Sequence, residues 1–102
     1  MSQLIRLAAV SDIAPGGRLS VEIDETPALI LRAGDEFYCL DDVCTHDGQP
    51  LTDGPFDGWQ ITCPRHGAKF DVRNGKPTCM PATSPIRVYP VTIQDGSIFV
   101  SI

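Results

Sequence analysis

The sequence reads CTHDG over residues 44–48 and, further along the chain, CPRHG over residues 63–67. Each stretch contains one cysteine and one histidine, and the chain has only 2 histidines. Thiolate and imidazole are the side chains that bind zinc and iron in proteins, and four of them can surround one zinc ion or divide between the two irons of a cluster. The spacing therefore predicts a metal centre. Its candidate ligands are Cys44, His46, Cys63 and His66.

The rest of the sequence predicts an all-β sandwich or barrel, because short runs of β-forming residues recur between turn residues and no segment has a convincing helical period. The predicted strands are Leu4–Val10, Leu19–Ile23, Ala28–Leu31, Glu36–Leu40, Trp59–Cys63, Ala68–Val72, Ile86–Ile93 and Ser97–Ile102. The third and fourth of these are expected to pair as a hairpin, and the last two as a closing hairpin. Pro90 interrupts the seventh run, which indicates a sheet edge or a bulge there.

The candidate ligands lie in a loop-rich insert at approximately residues 42–85, between strands that come from both ends of the chain. Residues 42–58 have no apolar periodicity and are predicted to be loop. Residues 77–85 contain three prolines and are predicted to form a rigid loop. The two Cys/His pairs should then occupy two loop tips of a single domain, residues 1–102.

Composition limits the classes of function. The chain has 102 residues, 42% of them hydrophobic, and 8 basic against 13 acidic residues give a net charge of −5, which argues against a nucleic-acid partner. No apolar run approaches the roughly 20 residues that span a bilayer, and the first residues do not resemble a signal peptide. We therefore expect a cytoplasmic protein without a membrane partner, whose 4 cysteines are metal ligands or free thiols rather than disulfides.

The text around the ligands, C-T-H-D-G and C-P-R-H-G-A-K-F-D, resembles the Rieske [2Fe–2S] family. The likeness continues through F-D-V-R-N-G-K-P, M-P-A-T-S-P-I and V-Y-P-V, and is strongest to the small ferredoxins of bacterial aromatic-ring dioxygenase systems. It implies a fold of stacked antiparallel sheets with a loop-rich cluster-binding subdomain at one tip. It also implies one [2Fe–2S] cluster per chain, with Cys44 and Cys63 on one iron and His46 and His66 on the other.

By the same resemblance, the chain is a monomeric one-electron carrier and not an enzyme. It would take electrons from a flavoprotein NAD(P)H-dependent reductase and pass them to a terminal ring-hydroxylating oxygenase in aromatic hydrocarbon catabolism. High-potential members of the family have two further cysteines and a serine near the cluster, where this chain has Gln49, Arg65 and Ala68. These differences predict a reduction potential at the low end of the Rieske range of about −150 to +300 mV.

Two other functions are compatible with the ligand pattern. The chain could be a Rieske-like small subunit of a reductase such as assimilatory nitrite reductase, in which case it would co-purify with a large enzyme. It could instead be a zinc-stabilised interaction module, although zinc sites usually pair cysteine with cysteine and histidine with histidine. A reddish-brown protein with iron and acid-labile sulfide would exclude the zinc site.

Several residues outside the ligand set carry narrower expectations. Cys39 and Cys79 have no neighbouring histidine and are expected to be thiols that bind no metal. Gly48 and Gly67 should allow tight turns that aim amide N–H groups at the cluster sulfurs. Core or cluster-shielding roles are expected for the aromatic residues Trp59, Phe70 and Tyr89. An acidic docking surface and ordinary turn formation are equally compatible with the aspartates Asp41, Asp42, Asp47, Asp53 and Asp57.

Overall fold

The computed structural model of the chain describes residues 3–45, 48–65, 67–79 and 84–102. A short 3₁₀ turn at Val10–Asp12 follows the first strand. The strands of the described ranges are β1 (Leu4–Ala9), β2 (Arg18–Ile23), β3 (Thr26–Ala33), β4 (Glu36–Asp41), β5 (Phe56–Asp57), β6 (Gln60–Thr62), β7 (Lys69–Asp71), β8 (Pro77–Cys79), β9 (Val88–Tyr89), β10 (Val91–Gln94) and β11 (Ser97–Ser101).

The strands form three antiparallel sheets, which confirms the predicted all-β class. The base sheet has the order β1-β11-β10, the middle sheet the order β2-β3-β4-β9, and the site sheet the order β5-β6-β7-β8. The hairpin between β3 and β4 is present as predicted, with Ile30 opposite Cys39. Within the described ranges, no helix is long and apolar enough to cross a membrane.

The middle sheet is covered on both faces, which explains why β3 is apolar at consecutive positions instead of alternating. Ala28 and Ile30 belong to one buried cluster with residues of the base sheet, such as Ile98. Leu29 and Leu31 belong to a second buried cluster with residues of the site sheet. Successive side chains of a strand point to opposite faces, so one strand supplies both cores and the sheets stack in layers.

Two short strands lie where the sequence predicts only loop. Phe56–Asp57 pairs with β6, and Pro77–Cys79 pairs with β7 through an irregular register. Both are the outer strands of the site sheet. An outer strand can begin with proline, since the missing N–H leaves no bond of the ladder unmade. The prolines of residues 77–85 therefore do not prevent pairing at the start of that segment.

The predicted closing hairpin is divided between two sheets at Pro90. Val88–Tyr89 pairs with β4 in the middle sheet, whereas Val91–Gln94 pairs with β11 in the base sheet. Each half lies at the edge of its sheet, and the Pro90 carbonyl accepts a hydrogen bond from the Ser101 N–H at 3.0 Å. The prediction of an edge at Pro90 is confirmed, and that of one continuous strand over Ile86–Ile93 is wrong.

Candidate metal centre

The first candidate loop is closed around Cys44 by two main-chain hydrogen bonds. The Cys44 N–H donates to the carbonyl of Gln49 at 2.7 Å, and the Gly48 N–H donates to the carbonyl of Cys44 at 2.7 Å. Gly48 has a φ of 76°, and among the described residues, its chain neighbours aside, no atom lies within 4 Å of the place where a Cβ would stand. Glycine is therefore favoured here by the left-handed backbone and not by lack of space.

The second candidate loop repeats this arrangement at the same sequence offsets. The Cys63 N–H donates to the carbonyl of Ala68 at 2.7 Å, and the Gly67 N–H donates to the carbonyl of Cys63 at 3.1 Å. Gly67 has a φ of 75°. The predicted tight turns are confirmed in both loops. The two glycine N–H groups bond to cysteine carbonyls, so they are not among the amide N–H groups that are predicted to point at the cluster sulfurs; that prediction stays untested for the other amides of the loops.

Both cysteines are buried in the same core. Cys44 and Cys63 belong to the cluster between the middle and site sheets, together with Leu51, Ala68 and Phe70. The structure thus brings together the two thiols that the sequence selects. The other two candidates, His46 and His66, lie outside the described residues.

Cys39 is buried too, but in the other core. It belongs to the cluster between the middle and base sheets, whereas its neighbour Leu40 belongs to the cluster that contains Cys44 and Cys63. Burial, with a smaller contribution from Asp41, raises the pKa of the Cys39 thiol to about 12, so the thiol stays protonated at neutral pH. Cys79 lies on β8, and its side chain is outside the described residues.

A third segment approaches the first loop from the C-terminal side. The Thr45 hydroxyl donates to the carbonyl of Ser84 at 2.6 Å. Further along, the Ile86 N–H donates to the carbonyl of Gly75 at 2.8 Å, just after the turn that follows β7. Residues 80–83, between these contacts, are outside the described ranges. The first loop is thus joined to a segment distant in sequence.

Sequence reasoning missed the network beneath the first loop. The half-buried Asp42 carboxylate accepts hydrogen bonds from the Leu51 N–H at 2.6 Å and from the Thr52 hydroxyl. Arg18, on β2, donates through Nη1 to the carbonyl of Thr52 at 2.8 Å and to that of Gly54. The one available signal was an aspartate two residues before a candidate cysteine ligand.

Two of the five singled-out aspartates accept hydrogen bonds within the fold. Asp41 accepts a hydrogen bond from the Tyr89 hydroxyl at 2.5 Å, and Asp42 is bonded to the loop as described. These bonds give both aspartates a structural role, and the docking interpretation of the five aspartates stays a prediction. Asp53 and Asp57 are exposed, and Asp47 lies outside the described residues.

The three singled-out aromatic residues have different environments. Phe70 and Tyr89 are buried, as expected. Trp59 is 46% exposed, so it is not a core residue. Its ring is covered on one side by Arg73, whose guanidinium carbon lies 4.6 Å from the ring centre. Arg73 also pairs with Asp71 at 2.8 Å, and their hydrogen bond lowers the pKa of that carboxyl.

The donor set fits a Rieske cluster in the part of the site that the structure describes. Such a cluster needs two cysteine sulfurs on one iron, and here two thiols stand on matching closed loops in one core. In sequence, each loop also carries one histidine between its cysteine and its glycine. The surrounding Leu51, Ala68 and Phe70 would keep water away from the sulfur side.

Comparison with known proteins agrees with this geometry. The profile of the Rieske [2Fe–2S] domain matches residues 3–90. The ferredoxin component of the p-cumate 2,3-dioxygenase system of Pseudomonas putida is 38% identical, with 100% of this chain and 88% of the relative covered.

Two solved structures have the same fold. The ferredoxin of carbazole 1,9a-dioxygenase from Nocardioides aromaticivorans is similar with a TM-score of 0.92 and 32% identity, over 96% of each chain. A chain in a complex of reduced oxygenase and oxidized ferredoxin in carbazole 1,9a-dioxygenase is similar with a TM-score of 0.90 and 36% identity, over 96% of this chain and 92% of that one. The chain therefore belongs to the Rieske [2Fe–2S] domain family.

Proposed function

We propose that this chain is the ferredoxin component of a ring-hydroxylating dioxygenase system. It takes single electrons from a flavoprotein NAD(P)H-dependent reductase and delivers them to a terminal oxygenase. The observation that carries this proposal is the pair of matching loops that bury Cys44 and Cys63 in one core, in a chain of the Rieske family. The full-length similarity to dioxygenase ferredoxins favours this role over that of a nitrite reductase subunit.

The proposed ligands are Cys44 and Cys63 on one iron and His46 and His66 on the other, with one cluster per chain. When bound, such a cluster supplies reversible one-electron chemistry. Two thiolates would balance the charge of its oxidised core, and neutral imidazoles add none, so an electron is accepted more easily than with four thiolates. The domain assignment remains a prediction: one domain over 1–102, with the cluster-binding insert at approximately 42–85.

The two loops would hold the cluster on their buried side and meet partner proteins on their exposed side. Inside, Cys44 and Cys63 are held by main-chain bonds within the apolar core, so a change in charge would require little movement. Outside, seven described residues near the loop ends are exposed. We call them the tip face: Gly48, Pro50, Pro64, Arg65, Gly67, Ser84 and Pro85. An exposed tip beside a buried thiol pair allows a partner to approach the cluster closely.

The tip face would be used by both partners in turn, through contacts small enough to separate quickly. The complex of oxygenase and ferredoxin among the similar structures supports an oxygenase partner. The chain is proposed to act as a monomer in the cytoplasm, without binding nucleic acid or membrane. It is proposed not to be an enzyme, because both histidines are assigned to the cluster and neither remains for a second iron site.

An anaerobic redox titration tests the proposal. The purified protein is reduced by NAD(P)H with catalytic flavoprotein reductase and then reoxidised by a ring-hydroxylating oxygenase. We expect uptake and release of one electron per chain, with iron and acid-labile sulfide in equal amounts. A colourless protein with bound zinc, or one that purifies only as a fixed part of a large reductase, would overturn the proposal.

A further inference from the structure

The two cysteine loops share two matching main-chain hydrogen bonds but stand on different supports. Below the Cys63–Ala68 bond, the second loop continues directly into the β6–β7 hairpin, where Thr62 pairs with Lys69 and Ile61 with Phe70. The first loop has no hairpin below the Cys44–Gln49 bond, since β4 ends at Asp41 and the residues around 50–52 form no strand. Another contact must hold its two limbs together.

The Asp42 carboxylate supplies that contact. One oxygen accepts the Leu51 N–H at 2.6 Å, in the place where a hairpin would have its next pair, and the other accepts the Thr52 hydroxyl. The Asp42 N–H donates to the carbonyl of Pro27 on β3 at 2.9 Å. Asp42 therefore joins the returning limb of the first loop to the middle sheet.

The same limb continues to the second loop. Arg18 donates to the carbonyls of Thr52 and Gly54 and so holds the limb against β2. At Gly54 the limb passes so close to β6 that an added Cβ would lie 1.8 Å from the carbonyl oxygen of Thr62. Thr62, which immediately precedes Cys63, donates its N–H to the carbonyl of Pro55 at 2.9 Å. A continuous series of contacts thus connects Asp42 with the base of the second loop.

We propose that Asp42 is a positioning residue for the cluster: its carboxylate sets the Cys44 loop relative to the Cys63 loop, and Arg18 supports it. This inference rests on the proposed function. A cluster with ligands from two loops depends on the relative position of those loops. Loss of the Asp42 contacts, which we call the clamp, should therefore change the electronic state and the retention of the cluster, and not only the stability of the fold.

The test compares Asp42→Ala, Asp42→Asn and Asp12→Ala. Asp12 is a matched control, because its carboxylate accepts a main-chain N–H, that of Ala9, at 2.9 Å, beside the base-sheet core. The asparagine variant keeps an oxygen for the Leu51 N–H and should recover most of the wild-type behaviour. The readouts are the electron paramagnetic resonance spectrum of the reduced protein, its midpoint potential and the rate of iron loss to a chelator.

We expect Asp42→Ala to lose iron roughly tenfold faster than the wild type, as loss of a charged hydrogen bond implies. Its resonance lines should broaden or shift and its midpoint should change, whereas Asp12→Ala should keep the wild-type spectrum and potential. Equal behaviour of Asp42→Ala and Asp12→Ala in all three readouts would overturn the inference.

Thr52→Val provides a milder variant if Asp42→Ala does not fold. It removes only the hydroxyl donor and should give a smaller change of the same kind; an unchanged spectrum together with unchanged iron loss would count against the clamp. Metal analysis of the wild type separates the two proposals. Zinc in place of iron and sulfide would overturn the proposed function. The rates of zinc release from Asp42→Ala and Asp12→Ala could then be compared, and faster release from Asp42→Ala alone would still show that Asp42 positions the loop.

Discussion

At the scale of single residues, the described cysteine side chains divide between the two cores. Cys39 and Leu40 are neighbours on β4, yet only Leu40 shares a core with Cys44 and Cys63. The middle sheet stands between Cys39 and the candidate ligands. The sequence indicated the same division, because the two selected cysteines have a histidine close by and Cys39 does not.

Replacement of Cys39 by alanine should leave the visible and resonance spectra unchanged. The loss of one buried sulfur should cost only about 1 kcal/mol of unfolding free energy. Replacement of Cys44 or Cys63 by alanine is the contrast, since either should abolish the cluster. Spectroscopy and iron analysis of the three purified variants show which cysteines bind the cluster. A bleached Cys39→Ala protein would show that the ligand set is wrong.

The buried phenol of Tyr89 gives a prediction about alkaline stability. Burial and the hydrogen bond to Asp41 raise its pKa from 10.0 to about 12, and burial raises that of Cys39 from 9.0 to about 12. Both groups are neutral when folded, so their contribution is complete below their ordinary pKa values and is lost as the pH rises towards about 12.

Urea unfolding followed by circular dichroism should therefore show a falling midpoint across that alkaline window. Tyr89→Phe cannot ionise and should show a shallower fall, although it loses a hydrogen bond worth about 1 kcal/mol at neutral pH. An equally steep fall in Tyr89→Phe and in the wild type would mean that this phenol does not cause the pH dependence.

At the scale of elements, strands with a clear apolar pattern are predictable from the sequence. Short strands that form only because they pair in the folded chain are not. The hairpin of β3 and β4 is recognisable because apolar runs flank the turn at Gly34. The two-residue strand Phe56–Asp57 has no period to detect, and its pairing with β6 exists only in the folded chain. Pro77–Cys79 was hidden by its proline, which is harmless at the start of an outer strand.

Glycine at the turn after β7 offers a test of how tightly the elements are joined. Gly75 and Gly96 have nearly equal φ values, 76° and 75°, but only Gly75 faces a close neighbour. A Cβ at Gly75 would lie 2.0 Å from the carbonyl oxygen of Ile86, whereas one at Gly96 would meet no atom of the described residues within 4 Å, its chain neighbours aside.

Gly96→Ala should lower the unfolding free energy by about 1 kcal/mol, the effect of a left-handed backbone alone. Gly75→Ala should lower it by about 3 kcal/mol or more, because the Ile86 segment must move and its hydrogen bond to Gly75 is disturbed. Urea unfolding of the two variants measures the difference. Equal losses would show that the close approach of residues 75 and 86 is not a constraint.

At the scale of the whole molecule, three stacked sheets carry two cores, and the core of the site sheet holds both candidate thiols. The family and the two candidate cysteines could be predicted because metal ligands need fixed side chains at fixed spacings, and the all-β class because short β-forming runs recur between turn residues. The support of the site was not, since the contacts of Arg18 with Thr52 and Gly54 join residues far apart in the chain. No local sequence pattern predicts a hydrogen bond between residues so far apart in the chain.

The environment of the thiols also bears on the reduction potential. Ala68 is buried and has no hydroxyl to donate to the cluster, as a serine at that position would, which predicts a lower reduction potential. The resemblance to low-potential members of the family also predicts a low potential. We expect a midpoint at the low end of the Rieske range of about −150 to +300 mV, measured by spectroelectrochemistry. A midpoint well above about +100 mV on that range would contradict the low-potential assignment.

The most direct measurement of the central claim is the electron paramagnetic resonance spectrum of the dithionite-reduced protein, with iron and sulfide analysis of the same sample. We expect a binuclear cluster whose average g value lies below that of clusters with four thiolates, as nitrogen ligation of one iron by His46 and His66 requires. A spectrum typical of four sulfur ligands, or a silent and colourless protein that contains zinc, would contradict the assignment of these four ligands.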